Sequence, residues 1–128
     1  MKRLLICGDR EWTNTVAIIR EMVKLPKDTI IIQGCASGAD TIAMKVAQVL
    51  GLELLSAEDN HSKKTPGFPA KWNVYGRRAG PVRNQQMLDE GKPNEVWAFH
   101  TNINKSKGTL HMIKIAGKKG ITVRLFTK

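Results

Sequence analysis

Short apolar runs that alternate with helix-like segments are the feature that most constrains this chain. Residues 3–7 and 29–33 are unbroken apolar runs, each followed by a glycine, as in strands buried on both faces of a sheet. Similar short runs lie at 52–55, 95–99 and 121–126. Between them, apolar residues recur at helical spacing, including Val16, Ile19, Met22 and Val23 in the first such segment. The chain is therefore expected to alternate strands and helices.

The resulting order β-α-β-α-β-loop-α-β-α-β predicts an α/β fold, because parallel neighbours need right-handed crossovers. We expect one Rossmann-like domain over residues 1–128, with a mostly parallel five-stranded sheet and helices on both faces. Residues 56–79 are rich in proline and glycine and predict a long loop. Ligands of such sheets bind at the carboxyl ends of strands, where the strand order reverses. We therefore expect the site in the loops after the first, second and fourth strands.

Positive charge is unevenly distributed along the chain. The 128 residues carry 21 Lys and Arg against 11 Asp and Glu, a formal net charge of +10. Residues 60–88 and 96–128 contain basic residues and no acid. This distribution favours anionic partners, either the phosphates of a nucleotide or a nucleic acid, for which Trp72 and Tyr75 could supply stacking rings. The alternative is a solvated basic surface.

The same sequence argues against several other classes of protein. No apolar run approaches the roughly 20 residues of a membrane span, so we expect no membrane partner. The start of the chain does not read as a secretion signal, and the two cysteines, Cys7 and Cys35, then read as reduced thiols of a cytoplasmic protein. His61, His100 and His111 show no ligand spacing. We predict no metal site and no cofactor.

Three loops contain candidate phosphate-binding turns. Gly8, Asp9 and Arg10 follow the first strand, and the 34–40 turn, spaced G-x-x-x-G, opens a helix after the second. Small residues let backbone amides approach an anion, and a helix amino terminus adds roughly half a positive charge. The structural alternative for the 34–40 turn is a tight bend in which Asp40 only stabilises the following helix.

The other candidates lie at the starts of the last two helices. Lys107, Gly108 and Thr109 open the last helix. We place Arg83 in the first turn of a helix begun by Pro81, where an arginine opposes the helix dipole and is better explained by an anion site. We expect one crevice to hold the predicted ligand-binding set. Its members are Gly8, Asp9, Arg10, Gly34, Ser37, Gly38, Asp40, Arg83, Asn84, Lys107, Gly108 and Thr109.

Taken together, the motifs at 34–40, 69–72, 79–84 and 107–109 resemble the YspA/YpsA-related branch of the SLOG superfamily, the DUF2493 group of short bacterial or phage proteins. The resemblance extends from residue 4 to residue 126. It implies a Rossmannoid fold that binds nucleotides or nucleotide-derived ligands at these loops. The superfamily also includes the LOG phosphoribohydrolases and the single-strand DNA-binding protein DprA, to which the chain is distantly similar.

Three functions follow as hypotheses. The leading one is binding of a nucleotide or nucleotide-derived small ligand for sensing, sequestration or processing. The second is a hydrolase or transferase acting on a nucleotide glycosidic bond. LOG enzymes carry P-G-G-x-G-T-x-x-E at the last loop, and Met112 replaces that glutamate here, which leaves Asp9 or Asp40 as candidate catalytic carboxylates. The third is binding of single-stranded nucleic acid. Catalysis and homo-oligomer formation stay open.

Overall fold

A computed structural model describes all residues 1–128 and shows a five-stranded parallel sheet. Its strands are β1 (Arg3–Gly8), β2 (Ile30–Ile32), β3 (Glu53–Leu54), β4 (Glu95–Phe99) and β5 (Thr122–Phe126). They lie in the order β3-β2-β1-β4-β5, and every neighbouring pair is parallel. The α/β, Rossmann-like fold class predicted from the sequence is confirmed. The strand order reverses at β1, so the ends of β1 and β4 flank the crevice.

Helices cover both faces of the sheet. They are α1 (Thr15–Met22), α2 (Ala39–Leu50), α3 (Trp72–Tyr75), α4 (Ala79–Gly91) and α5 (Gly108–Lys118). Alternate side chains of β1 point to opposite faces, so Leu4 packs in the core beneath α1 and α2, and Leu5 packs in the core beneath α4 and α5. None of these helices combines the length and the apolar character that a bilayer crossing requires.

The buried face of α1 differs from the predicted one. Val16, Ile19 and Val23 are exposed, and Ala17 and Ile18 are buried with Met22. Apolar residues occur on more than one side of this helix, so the three- and four-residue spacing fits two faces equally well. Contact with α2 and the sheet selects the face with the smaller Ala17.

The start of α4 also differs from the prediction. A 3₁₀ turn, Gly76–Arg78, leads directly into α4, which begins at Ala79 rather than at Pro81. Pro81 is tolerated there because the first amides of a helix have no intrahelical acceptor. Arg83 therefore lies in the second turn, and the argument from its position in the first turn is wrong.

The segment between β3 and α4 is more ordered than the predicted long loop. Phe68 is fully buried, and its amide donates to the Gln33 carbonyl at the end of β2 over 2.9 Å. The Gln33 side chain donates in turn to the Pro66 carbonyl at 2.7 Å. These bonds fold the segment back over the sheet edge and bring α3 beside the ends of β1 and β2.

Candidate functional site

A cavity with a volume of about 520 Å³ lies at the carboxyl ends of β1 and β4. Four separate parts of the chain line it: the loop after β1, the turn between β2 and α2, the stretch from α3 into α4, and the loop after β4 with the start of α5. This is the position at which open parallel sheets bind ligands, and the volume lies in the range of small-molecule sites.

Most of the predicted ligand-binding residues line this cavity. They are Gly8, Asp9, Arg10, Asp40, Arg83, Asn84, Lys107, Gly108 and Thr109. Gly34 and Ser37 instead line a neighbouring cavity of about 180 Å³, and Gly38 lines neither. The role of all of these residues in binding stays a prediction.

The 34–40 turn uses its backbone amides within the protein. The Asp40 carboxylate accepts hydrogen bonds from the amides of Gly34 at 3.1 Å and Ala36 at 3.4 Å. The Ala39 amide donates to the Asp9 carbonyl at 3.1 Å. Gly38 has φ +75°, and a Cβ atom there would lie 2.2 Å from the Asp9 carbonyl oxygen. These contacts match the structural alternative for the turn, so other groups of the cavity must supply most of the attraction for an anion.

Asp40 and Arg83 influence each other electrostatically at the base of the site, without an ion pair shorter than 4.0 Å. Burial raises the pKa of Asp40 to about 6, although Arg83 and the two amides favour its charged form. Burial likewise lowers the pKa of Arg83, against the effect of Asp40. The Arg83 Nη1 donates to the Gly34 carbonyl at 2.5 Å and lies 3.5 Å from the Phe68 carbonyl. Arg83 thus holds two loops together as well as lining the cavity.

A second set of contacts fixes α5 against α4. The buried Asn84 side chain donates to the Gly108 carbonyl at 3.2 Å and lies 3.1 Å from Nδ1 of His111. Burial and the charge of Lys114 lower the pKa of His111, so the ring is neutral at pH 7 and its Nδ1 can accept this bond. The Ser106 hydroxyl, one residue before the N-cap Lys107, accepts the Thr109 amide hydrogen at 3.0 Å and so satisfies one of the first amides of α5.

Asp9 and His100 place a carboxylate and an imidazole side by side in the cavity wall. The His100 Nδ1 accepts the Asn102 amide hydrogen at 2.9 Å, so in the neutral ring the proton is on Nε2. That Nε2 lies 3.9 Å from the Asp9 carboxylate. Of the two candidate catalytic carboxylates, Asp9 is better placed to meet a ligand, because its side chain is 26% exposed, whereas Asp40 is buried and bound by two amides. No three His, Cys, Asp or Glu side chains are grouped to share a metal ion.

Five basic side chains that line the cavity have no carboxylate within 4.0 Å, namely Arg10, Arg77, Arg83, Lys105 and Lys107. Elsewhere, Lys2, Lys71 and Lys119 are paired with acids. The predicted ligand-binding set did not include Arg77 and Lys105, although both lie in the acid-free stretches and Lys105 is next to the predicted turn at 107–109. The cavity therefore holds more basic than acidic side chains, since three carboxylates, Asp9, Glu11 and Asp40, line it as well.

Comparison with solved structures identifies one related architecture. The chain is similar to DNA processing protein A (DprA) from Streptococcus pneumoniae, with a TM-score of 0.72 and 16% sequence identity. The likeness covers 98% of this chain and 50% of that one, so the chain spans half the length of DprA. At this identity the likeness shows a shared fold.

Comparison with other sequences identifies a relative over nearly the full length. No protein-family model matches the chain. The Gene 61 protein of Mycobacterium phage D29 is 31% identical over 127 residues, which cover 96% of this chain and 94% of that protein. The chain therefore belongs to the same family as the Gene 61 protein of this mycobacteriophage.

Proposed function

We propose that the cavity at the ends of β1 and β4 binds a nucleotide or a nucleotide-derived ligand through its phosphate. The observation that carries the proposal is the convergence on one cavity of about 520 Å³ of four basic side chains that have no ion pair, Arg10, Arg77, Lys105 and Lys107, together with Arg83. Charged groups gathered without counter-ions favour an anionic ligand, which supplies the missing charge.

The phosphate belongs at the start of α5. Lys105 and Lys107 come just before the start of α5 and line the cavity. The backbone of Gly108 is accessible to a ligand, since a Cβ atom there would meet nothing within 4 Å. The amino terminus of an α-helix also attracts negative charge. The 34–40 turn is less suitable, because two of its amides, those of Gly34 and Ala36, already bind Asp40.

We also propose that the chain is a single SLOG-like Rossmannoid domain of the YspA/YpsA-related, DUF2493 group. The motif blocks at 34–40, 69–72, 79–84 and 107–109 support this placement. So does the fold shared with DprA.

Binding of single-stranded nucleic acid is the second candidate. It is favoured by the likeness to a protein named for DNA processing and by the exposed Trp72 and Tyr75 on α3. Against it, these two rings are the only exposed aromatic side chains near the cavity, which is few for a path along a strand.

Calorimetric titration with the four ribonucleoside monophosphates and with a single-stranded oligonucleotide tests both candidates. The Lys105→Ala/Lys107→Ala double variant should lose at least tenfold in nucleotide affinity, since charge-assisted hydrogen bonds contribute about 1.5–3 kcal/mol each. The matched control is Lys114→Ala/Lys118→Ala, which removes the same charge from exposed positions of α5 outside the cavity. Equal losses in the two double variants would contradict a localised phosphate site. Tight oligonucleotide binding without mononucleotide binding would favour the second candidate.

A further inference from the structure

Trp72 is the one exposed tryptophan of the molecule, and it stands at the rim of the cavity. Its exposed fraction is 49%, whereas Trp12 and Trp97 are 5% and 2% exposed. Those two rings pack edge-on against Phe99 in the core. Trp72 instead belongs to α3, a helix with no buried residue, and lines both the main cavity and the smaller one after β2. Core packing therefore does not explain this ring.

The guanidinium of Arg10 covers a face of the Trp72 ring. Its central carbon lies 5.3 Å from the ring centroid. Arg10 has no carboxylate within 4.0 Å and makes no side-chain hydrogen bond, so the indole is its one described partner. A guanidinium is planar and stacks on aromatic rings much as a base does. It is also the group that pairs best with phosphate.

Trp72 and the phosphate-binding end lie on different walls of the cavity. Trp72 and Arg10 adjoin the smaller cavity after β2, whereas Lys105 and Lys107 belong to the loop after β4. A ligand with its phosphate at the start of α5 therefore extends its remaining part toward the indole. The cavity between the two ends is large enough for a ribose.

We propose that Trp72 and Arg10 form a stacking subsite for the aromatic base of the ligand. This inference rests on the proposed function and adds that the ligand must carry an aromatic nucleobase. The base takes the indole face that Arg10 covers in the free protein. The released guanidinium stays in the cavity, where it adds positive charge that favours an anionic ligand. Because every base has a π-face, the subsite selects nucleotides over sugar phosphates, and purines over pyrimidines by their larger stacking area.

Titration of AMP and ribose 5-phosphate against the full chain tests this inference, with calorimetry and tryptophan fluorescence as readouts. AMP should quench the fluorescence of the wild-type protein, since the other two tryptophans are buried. Trp72→Phe should abolish the quenching but keep AMP affinity within about threefold. Trp72→Ala should reduce AMP affinity about tenfold and leave ribose 5-phosphate affinity unchanged. Arg10→Ala should weaken the binding of both compounds.

Tyr75→Ala is the matched control. Tyr75 lies on the same helix, is 42% exposed and lines a different cavity, so its loss should change neither affinity. If Trp72→Ala binds AMP as tightly as the wild type, or if AMP binds no better than ribose 5-phosphate, the stacking subsite is wrong and the phosphate site remains. If neither compound nor any other nucleoside monophosphate binds, both the subsite and the proposed function are wrong.

Discussion

The buried carboxylate of Asp40 gives this protein an unusual dependence of stability on pH. Asp40 has a pKa of about 6 in the folded chain because burial opposes its charge, compared with an ordinary value of 3.8. The folded state therefore binds this proton more tightly than the unfolded state. The contribution of Asp40 to stability is fully present below pH 3.8 and is lost as the pH rises through 6.

Asp40→Asn should remove this dependence. Between pH 3.5 and pH 7, the wild type should lose about 3 kcal/mol of unfolding free energy relative to the variant, from 1.36 kcal/mol per pKa unit. Denaturant unfolding of both proteins across this range measures the difference in unfolding free energy. The other titrating groups are the same in both proteins, so their contributions cancel in this difference. If the unfolding free energy of the two proteins changes with pH in the same way, Asp40 keeps its ordinary pKa in the folded chain.

Arg83 should combine a structural role with a binding role. Arg83→Ala removes the donor to the Gly34 carbonyl and the positive charge beside Asp40, so we expect a loss of about 1.5–3 kcal/mol in unfolding free energy. Arg77→Ala is the control, because the Arg77 side chain lines the same cavity and makes neither a hydrogen bond nor an ion pair within the protein. Both variants should weaken nucleotide binding, but thermal denaturation should separate them. Equal melting temperatures would contradict the structural role.

The sequence predicted many of the residues that line the cavity but not their contacts. Gly8 and Thr109 were predictable because strand ends and helix starts are set by local patterns. The partners of Arg83 were not, since the Gly34 carbonyl is 49 residues away and is reached only after the segment before α3 folds over the sheet edge. Arg77 and Lys105 were missed for a similar reason: which side chains of a basic segment converge depends on the course of its backbone.

At the scale of elements, the strands were predicted well and the starts and faces of helices less well. Apolar runs followed by glycine identified β1 and β2 because both strands are buried on both faces. The start of α4 was misplaced, because a 3₁₀ turn carries no apolar period that would reveal it. The exposed face of α1 was missed, because its apolar residues suit two orientations.

The junction of β1, β4 and α2 depends on a residue without a side chain. A Cβ atom at Gly8 would lie 2.2 Å from the Phe99 carbonyl oxygen and 2.9 Å from the Ala39 Cβ. Gly8→Ala should therefore destabilise the fold by about 1–3 kcal/mol, the usual cost of overpacking.

Gly117→Ala is the matched control for Gly8. Gly117 lies in α5, and an added Cβ atom would meet nothing within 4 Å. This variant should gain about 0.5–1 kcal/mol from improved helix propensity. Chemical denaturation measures the unfolding free energy of both variants. If Gly8→Ala leaves this free energy unchanged, the strand ends can separate at little cost.

At the scale of the whole molecule, the net charge of +10 sets how binding responds to salt. A ligand with one phosphate should release few counter-ions, so its affinity should depend weakly on salt concentration. A single strand that contacts several phosphates should show a slope of about −0.7 per contact in a plot of log affinity against log salt. Titrations from low to physiological salt distinguish the two modes. A steep slope for a mononucleotide would indicate a diffuse basic surface instead of a site.

The cavity walls come from four parts of the chain that are far apart in sequence: residues 7–11, 36–40, 72–87 and 100–112. A ligand that touches several of them acts as a non-covalent cross-link, because these segments separate when the chain unfolds. Its binding energy then adds to folding stability, by about 2.7 kcal/mol when the ligand is present at a hundred times its dissociation constant. The apparent melting temperature of this protein should therefore report how much of its ligand the surrounding solution contains.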